Sequence, residues 1–464
     1  MKRPAVRAAA GSAGALTMVA LCFANGLQGG GGQTFAQSTE ALKHTFHIND
    51  AALGVVPFLV GIAGNVGAVP VAAVCARHRR TSVLAAMFLL WGIVIAATGL
   101  VPRFALVGVA AAGFIVFATL RVLSSLFEAT DPATLPLIGD WWPVEERARK
   151  ISIFNAGAAV GTFGGLIGAG IIVDHFGWRW AFFAWLPLAV LGAALIRSRA
   201  EPDRGAQDAG YSEHLEEVTA GSEHELVVEL VEHEAAEIAA EVASETTGPA
   251  SVARAVFRLR SWRQVAIGIS VTGIATAGLG TWGLAYFKRT FGLSGTDAAA
   301  LAPLLGGGAF AGVLGGGFLA DRLLAAGWLR ARVYVTAAGF AGSGVVFALA
   351  YTTTNLWVAA PLLAVAATLA ALPTGPQFAL LMDVTPSPLR SQASAALNVL
   401  QAGGAIGALI VGGLSTLFGE NLRLALLCVS PFYVVGGLLV WSARRSYVED
   451  VAVVVAEAKG HATP

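Results

Sequence analysis

The sequence is short of charge, of cysteine and of the residue patterns that chemistry on a substrate requires. Only 13% of its 464 residues are Asp, Glu, Lys or Arg, against about 25% in an ordinary soluble protein. The 30 basic and 29 acidic side chains leave a net charge of +1, so no polyanionic partner is marked and nucleic acid is not indicated. Three cysteines, Cys22, Cys75 and Cys428, are scattered in or beside apolar stretches. They offer neither a disulfide framework nor a metal-ligand spacing and read as small apolar fillers. There is no nucleophile elbow, no metal-binding pattern and no histidine within an apolar run. An enzyme, a bound metal and any other cofactor are therefore not expected.

Apolar and small residues fill the space that charge leaves. The chain is 56% hydrophobic, holds 56 glycines and has a mean hydropathy of +0.69, the composition of long apolar helices packed through small side chains. A membrane span needs about 20 apolar residues. Six runs of that kind fall near 12–35, 51–74, 82–100, 113–139, 151–173 and 180–197, and six more near 264–287, 298–319, 332–351, 356–381, 392–416 and 422–442. The stretch 101–112 is too apolar for a free loop and is expected to lengthen span three or four. The expectation is an all-α membrane protein with twelve transmembrane helices.

Basic residues orient it. Lys2, Arg3 and Arg7 precede span one, Arg77, Arg79 and Arg80 follow span two, and Arg147, Arg149 and Lys150 follow span four. Of the 30 Lys and Arg, 23 fall on this side, six on the other, and Arg121 lies inside a span. That bias predicts both termini in the cytoplasm. The Ala-, Gly- and Val-rich composition fits a high-GC bacterial source and hence the cytoplasmic membrane. The basic, then apolar, start has the look of a signal peptide, but the apolar run continues past any cleavage site and eleven more spans follow.

The expected organisation is a six-helix half over 1–199, an acidic cytoplasmic linker over 200–262, a second six-helix half over 263–445 and a tail over 446–464. The linker carries 14 of the 29 acidic residues. Ser222 and Glu225 resemble a capping box for a helix running to about Ser244. His214, His224 and His233 match no ligand spacing, and the segment reads as solvated.

The halves repeat each other. Asp140, Pro143, Arg147, Asn155, Gly161 and Gly164 correspond to Asp383, Pro386, Arg390, Asn398, Gly404 and Gly407 at one offset of 243 residues. Both copies sit at the same kind of junction, after span four and after span ten, so the repeats run parallel. Between spans eight and nine stands GGFLADR, with Gly317, Asp321 and Arg322. With the parallel repeat, this segment resembles the major facilitator superfamily. The resemblance implies that Asp321 and Arg322 latch helix ends together. The matching stretch after span two, PVAAVCARHRR, keeps Arg77 and Arg80 but has Ala76 at the expected aspartate, which implies a weakened second latch.

Within that superfamily the chain is similar to the Spinster-like group. The match rests on Arg121 with Glu128-Ala129, on DWWPVEER, on GWRWAFF, on TWGLAYFKRTFGLS and on GPQFALLMDVTPSPLRSQASAAL. It covers nearly everything but the acidic linker. One departure matters: the acidic–arginine pair that the group carries in span one falls on Gly31 and Gly32 here.

Ionisable side chains inside spans are the candidates for function, because each costs on the order of 3 kcal/mol in the membrane centre. Arg121 and Glu128 are seven residues apart, so on one continuous helix they would share a face about 10 Å apart. Arg121 stays charged and can anchor a carboxylate or phosphate; Glu128 can exchange a proton. Asp131, beside Pro132, either joins them or caps a helix broken by Pro132 and Pro136. Asn25, Gln28 and the run Gly29 to Gly32 indicate either a loosened, wet span one or very close packing. The resemblance implies that spans one, four, seven and ten line a cavity, which adds Trp282, Tyr286 and Gln377.

The function these features point to is alternating-access transport of an amphipathic anion, such as a lysophospholipid, coupled to protons through Glu128 and Arg121. A proton-coupled symporter of small organic or sugar acids is the alternative, and a transporter-shaped receptor or sensor the second. The expected partners are a small-molecule or lipid substrate, the proton and the bilayer, with the protein a monomer.

Overall fold

The computed structural model describes residues 3–48, 50–101, 112–208, 256–293, 301–452 and 454. The proposed linker helix, its three histidines and most of 101–112 lie outside the described residues. Helices account for nearly all of the rest, and no strand occurs among the described residues.

The first helices are α1 (Arg3–Phe46), α2 (Asp50–Arg77), α3 (Arg80–Gly99), α4 (Ala112–Leu126), α5 (Asp131–Trp141), α6 (Val144–Phe176), α7 (Trp178–Phe183) and α8 (Trp185–Arg197). After the linker come α9 (Arg260–Phe291), α10 (Ala302–Ala325), α11 (Ala331–Thr352), α12 (Leu356–Ala371) and α13 (Thr374–Asp383). They are followed by α14 (Arg390–Ala402), α15 (Ile406–Leu417), α16 (Leu422–Val429) and α17 (Pro431–Ser442). Among the described residues eleven segments are long and apolar enough to cross a membrane. The remaining expected span is α1, long enough at 44 residues, with Asn25, Gln28, Gln33 and a run of glycines in its middle. Large apolar side chains such as Val19, Val160, Ile167 and Leu409 stand on the outside of the helices, as a hydrocarbon surround allows.

Five sequence-predicted spans are each divided: span four between α4 and α5, span six between α7 and α8, span ten between α12 and α13, span eleven between α14 and α15, and span twelve between α16 and α17. In spans four and ten a proline follows the break, and its ring disfavours helix through the carbonyl four residues earlier, Glu128 for Pro132 and Leu372 for Pro376, whereas α2 runs on through Pro57 and Pro70. The breaks, 127–130 and 372–373, fall at corresponding places of the 243-residue repeat.

The chain forms two compact units, Met1–Leu137 with Phe154–Pro202, and Ile138–Ile153 with Asp203–Pro464. In the first, α3 packs on α8, and α1 lies against α6 through small residues. A Cβ at Gly26 would come within 3.1 Å of the Gly157 carbonyl, one at Gly29 within 2.6 Å of that of Ala158, and Gly161 and Gly165 meet Gly26 and Gly30. The glycine run of α1 is thus a packing surface on an unbroken helix. Its core gathers Phe117, Trp91, Trp178 and Phe182. In the second unit α9, α11 and α17 pack around Trp262, Phe340, Phe347 and Tyr433. The end of α5 and the start of α6, residues 138–153, belong to this unit.

Candidate functional site

In the first unit the break in span four carries the chemistry. Arg121 is on α4, but Glu128 lies in the turn after it, so the shared helical face expected from their spacing is absent. Arg121 is 4% exposed, its Nη1 reaches Ser124 Oγ at 3.4 Å, and its Nε has no hydrogen-bond partner among the described residues. Its guanidinium stands 6.0 Å from the Phe182 ring centroid. Among the described residues no carboxylate pairs with it, although Glu128 is near enough for its charge to be felt.

Glu128 has a different partner. The indole of Trp91 donates from Nε1 to Glu128 Oε1 at 2.9 Å. Trp91 is fully buried on α3 and packs edge-on against Trp185, 6.1 Å between centroids. A side chain at Gly31 would collide with the Trp91 ring. The residue that replaces an expected charged position in span one therefore leaves room for the donor to Glu128.

The polar side chains of α1 brace the same break. Gln28 Nε2 donates to the Phe127 carbonyl at 3.4 Å and its Oε1 accepts from Thr130 Oγ1 at 3.4 Å. Asn25 donates to the Phe154 carbonyl at 2.9 Å. Asp131 opens α5, where a carboxylate is favoured by the helix dipole. Trp282, Tyr286 and Gln377 are in the second unit. Trp282 donates to the Ala408 carbonyl at 2.8 Å, while the buried Tyr286 hydroxyl and Gln377 Oε1 have no hydrogen-bond partner among the described residues.

The expected latch residues are arranged differently from the motif's reading. Asp321 pairs with Arg332 at 3.1 Å and accepts from the backbone N–H of Ala148 and Arg149, at 3.3 and 2.7 Å; Arg322, the adjacent motif arginine, is exposed. In the first unit Arg77 is exposed, and Arg80 pairs with Glu201 at 3.2 Å. Glu201 also accepts the N–H of Arg80 at 2.9 Å and of Thr81 at 3.3 Å, which satisfies the start of α3. Burial alone would raise the Glu201 carboxyl, but these backbone donors and the Arg80 guanidinium outweigh it and hold it below the usual carboxylate range.

Around Asp321 the second unit builds a buried charge network that cross-pairs the repeat. Arg147 binds Asp383 at 3.1 Å, and Arg390 binds Asp140 at 3.4 Å. Arg332 joins Asp383 to Asp321 and reaches the Val144 carbonyl, and Tyr447 donates to Asp383 Oδ2 at 2.8 Å. Asp140, Arg147, Asp383 and Arg390 were visible as repeat pairs; Arg332, Tyr447 and Trp91 carried no motif that could have singled them out.

Comparison with known proteins agrees with this architecture. The profile of the Major Facilitator Superfamily matches residues 19–408. A protein of Arabidopsis thaliana named for glycerol-3-phosphate transport is 33% identical over 82 residues, 17% of this chain and only 15% of that relative's length. Among solved structures, a proton:xylose symporter aligns over 97% of this chain and 99% of its own, with a TM-score of 0.69 and 16% identity. The Escherichia coli fucose:proton symporter aligns over 92% and 98%, with a TM-score of 0.66 and 13% identity. A bacterial homologue of the human lysosomal transporter Spinster aligns over 93% and 97%, with a TM-score of 0.54 and 19% identity. At such identities these likenesses concern the fold. With a parallel repeat, eleven apolar spans beside α1 and a family match over most of its length, the chain belongs to the major facilitator superfamily of multi-pass membrane transporters.

Proposed function

We propose that this protein is a Spinster-like transporter that moves an amphipathic anion, a single-chain lipid with a phosphate or carboxylate head, by alternating access. The observation that carries the reading is Arg121: a buried guanidinium with no paired carboxylate among the described residues, beside an aromatic wall. Phe182 stands over it, and Phe117, four residues earlier on α4, stacks with Phe35 at 6.3 Å and meets Phe182 edge-on at 5.8 Å. A buried cation requires an anion or substantial solvation; the apolar tail is taken from the Spinster-like resemblance. Glu128, held by a neutral indole donor, is the group we assign to the proton. Substrate and proton then act on one electrostatic site, which supplies the differential interaction that coupling needs. We place 1–199 and 263–445 as the transporting halves, with the linker, the tail and both termini in the cytoplasm.

A second reading, a proton-coupled symporter of small organic acids, is favoured by the relative named for glycerol-3-phosphate transport. Thermal-shift titration of the purified protein separates the two. A lysophosphatidic acid should stabilise it, glycerol-3-phosphate and a neutral monoacylglycerol should not, and Arg121→Ala should abolish the response, with Arg121→Lys restoring part of it because an ammonium cannot make a bidentate contact. Stabilisation by glycerol-3-phosphate alone would shift the assignment to the second reading, and equal stabilisation by the neutral lipid would remove the role of Arg121.

A further inference from the structure

The acidic linker enters the charge network. Directly after α8 and Glu201 the chain makes a turn over 204–208, closed by Asp208 N–H to the Gly205 carbonyl at 2.9 Å. Asp208 is only 4% exposed, and its Oδ1 lies 2.8 Å from Arg390 Nη2 and 3.2 Å from Arg147 Nη2. Those two arginines are the pair related by the 243-residue repeat. Gly205 donates its N–H to Asp140 at 2.9 Å, so the turn grips the repeat-related carboxylate as well. Its φ of +72° is in the left-handed region that favours glycine, and a Cβ there would come 3.0 Å from Ser387 Oγ.

The network does not need this carboxylate for charge balance. Arg147, Arg332 and Arg390 are matched one for one by Asp140, Asp321 and Asp383, and Asp208 is a fourth. What it adds is a bridge: one oxygen shared by two guanidiniums whose other bonds run in opposite directions through the repeat. We propose that residues 203–208 form a strap, with Asp208 as its clasp, that holds the 138–153 segment against α13 and α14 and sets how readily this end of the transporter parts. The linker would then contribute to gating from its first residues, whatever substrate is carried.

The test reads conformation without substrate, so it is independent of the assignment made for Arg121. In full-length protein lacking Cys22, Cys75 and Cys428, spin labels at Glu146 and Arg322 report the distance from the 138–153 segment to the end of α10. Asp208→Asn should add or enlarge a longer-distance population, raising the ratio of parted to clamped forms about tenfold, the equivalent of about 1.4 kcal/mol. Asp208→Glu, which keeps the charge, should stay near the parent distribution. Gly205→Ala should part the segment in the same direction without altering any charge, and decides the matter if Asp208→Asn does not fold. An unchanged distribution in either Asp208→Asn or Gly205→Ala overturns the strap.

Discussion

Asp383→Asn should be among the most damaging single-atom exchanges in this protein. Asp383 is 1% exposed and accepts from three donors: Arg147 on Oδ1, and Arg332 and Tyr447 on Oδ2. An asparagine must turn its NH2 towards one side, so a donor meets a guanidinium in either orientation. Arg332 is fully buried and cannot turn to water; it would keep only Asp321 as a charged partner. Hydrogen bonds to charged groups contribute about 1.5–3 kcal/mol each, and breaking a buried pair costs about 3–5 kcal/mol. Asp321→Asn provides the internal comparison. Two of its donors are neutral backbone N–H groups, and an amide oxygen can keep Arg332 and Ala148 while giving up Arg149. Its loss should be about 1–2 kcal/mol. At roughly 2–4 °C per kcal/mol, Asp383→Asn should lower the melting temperature by about 6–20 °C and Asp321→Asn by about 2–8 °C. Intrinsic-fluorescence melting in detergent measures both. Asp383→Asn within about 2 °C of the parent, or a larger loss for Asp321→Asn, would refute the weights given to these contacts.

Three further outcomes follow from the geometry. Glu128→Gln should keep substrate binding while uptake in proteoliposomes loses its pH dependence; uptake that stays fully proton-driven would move that role to Asp131. Because the Glu201 carboxyl is held below its ordinary range, its contribution to stability is complete above that range and is lost as pH falls through the lowered value. Melting temperature should therefore be insensitive to this group between about pH 5 and 8 and fall below about pH 4, and Glu201→Gln should shrink the acid-limb loss; an acid limb equal to the parent's would contradict the assignment. Gly161→Leu should prevent α6 from approaching Gly26 of α1 and reduce the yield of folded protein, whereas Gly164→Leu, with nothing within 4 Å of its Cβ direction, should be tolerated; equal yields would show that the close approach is not required.

The Glu128 and Asp321 results show where the sequence was legible and where it misled. Spacing placed Arg121 and Glu128 two turns apart on a helix, yet Pro132 was already in the sequence, and its clash with the carbonyl of Glu128 ends that helix. Asp321 was recognisable from GGFLADR, but its neighbour Arg322 points to solvent and the partner is Arg332, eleven residues on at the start of α11. The repeat offset marked all four residues of the crossed pairs without indicating that each arginine would take the carboxylate of the other copy.

The amino-acid order by itself determined the class, the spans, the parallel repeat and the place of Pro132 in span four. Each depends on properties local in the chain: hydropathy over about 20 residues, ring sterics over four, identity at a constant offset. Only the tertiary structure decided that Trp91 and not Arg121 donates to Glu128, that glycines of α1 are a contact with α6, and that Asp208 bridges Arg147 and Arg390. Those outcomes depend on the direction in which a side chain leaves its helix and on what stands opposite. A buried charge takes whichever partner the packed backbones bring within about 3 Å, and no spacing along the chain encodes that distance.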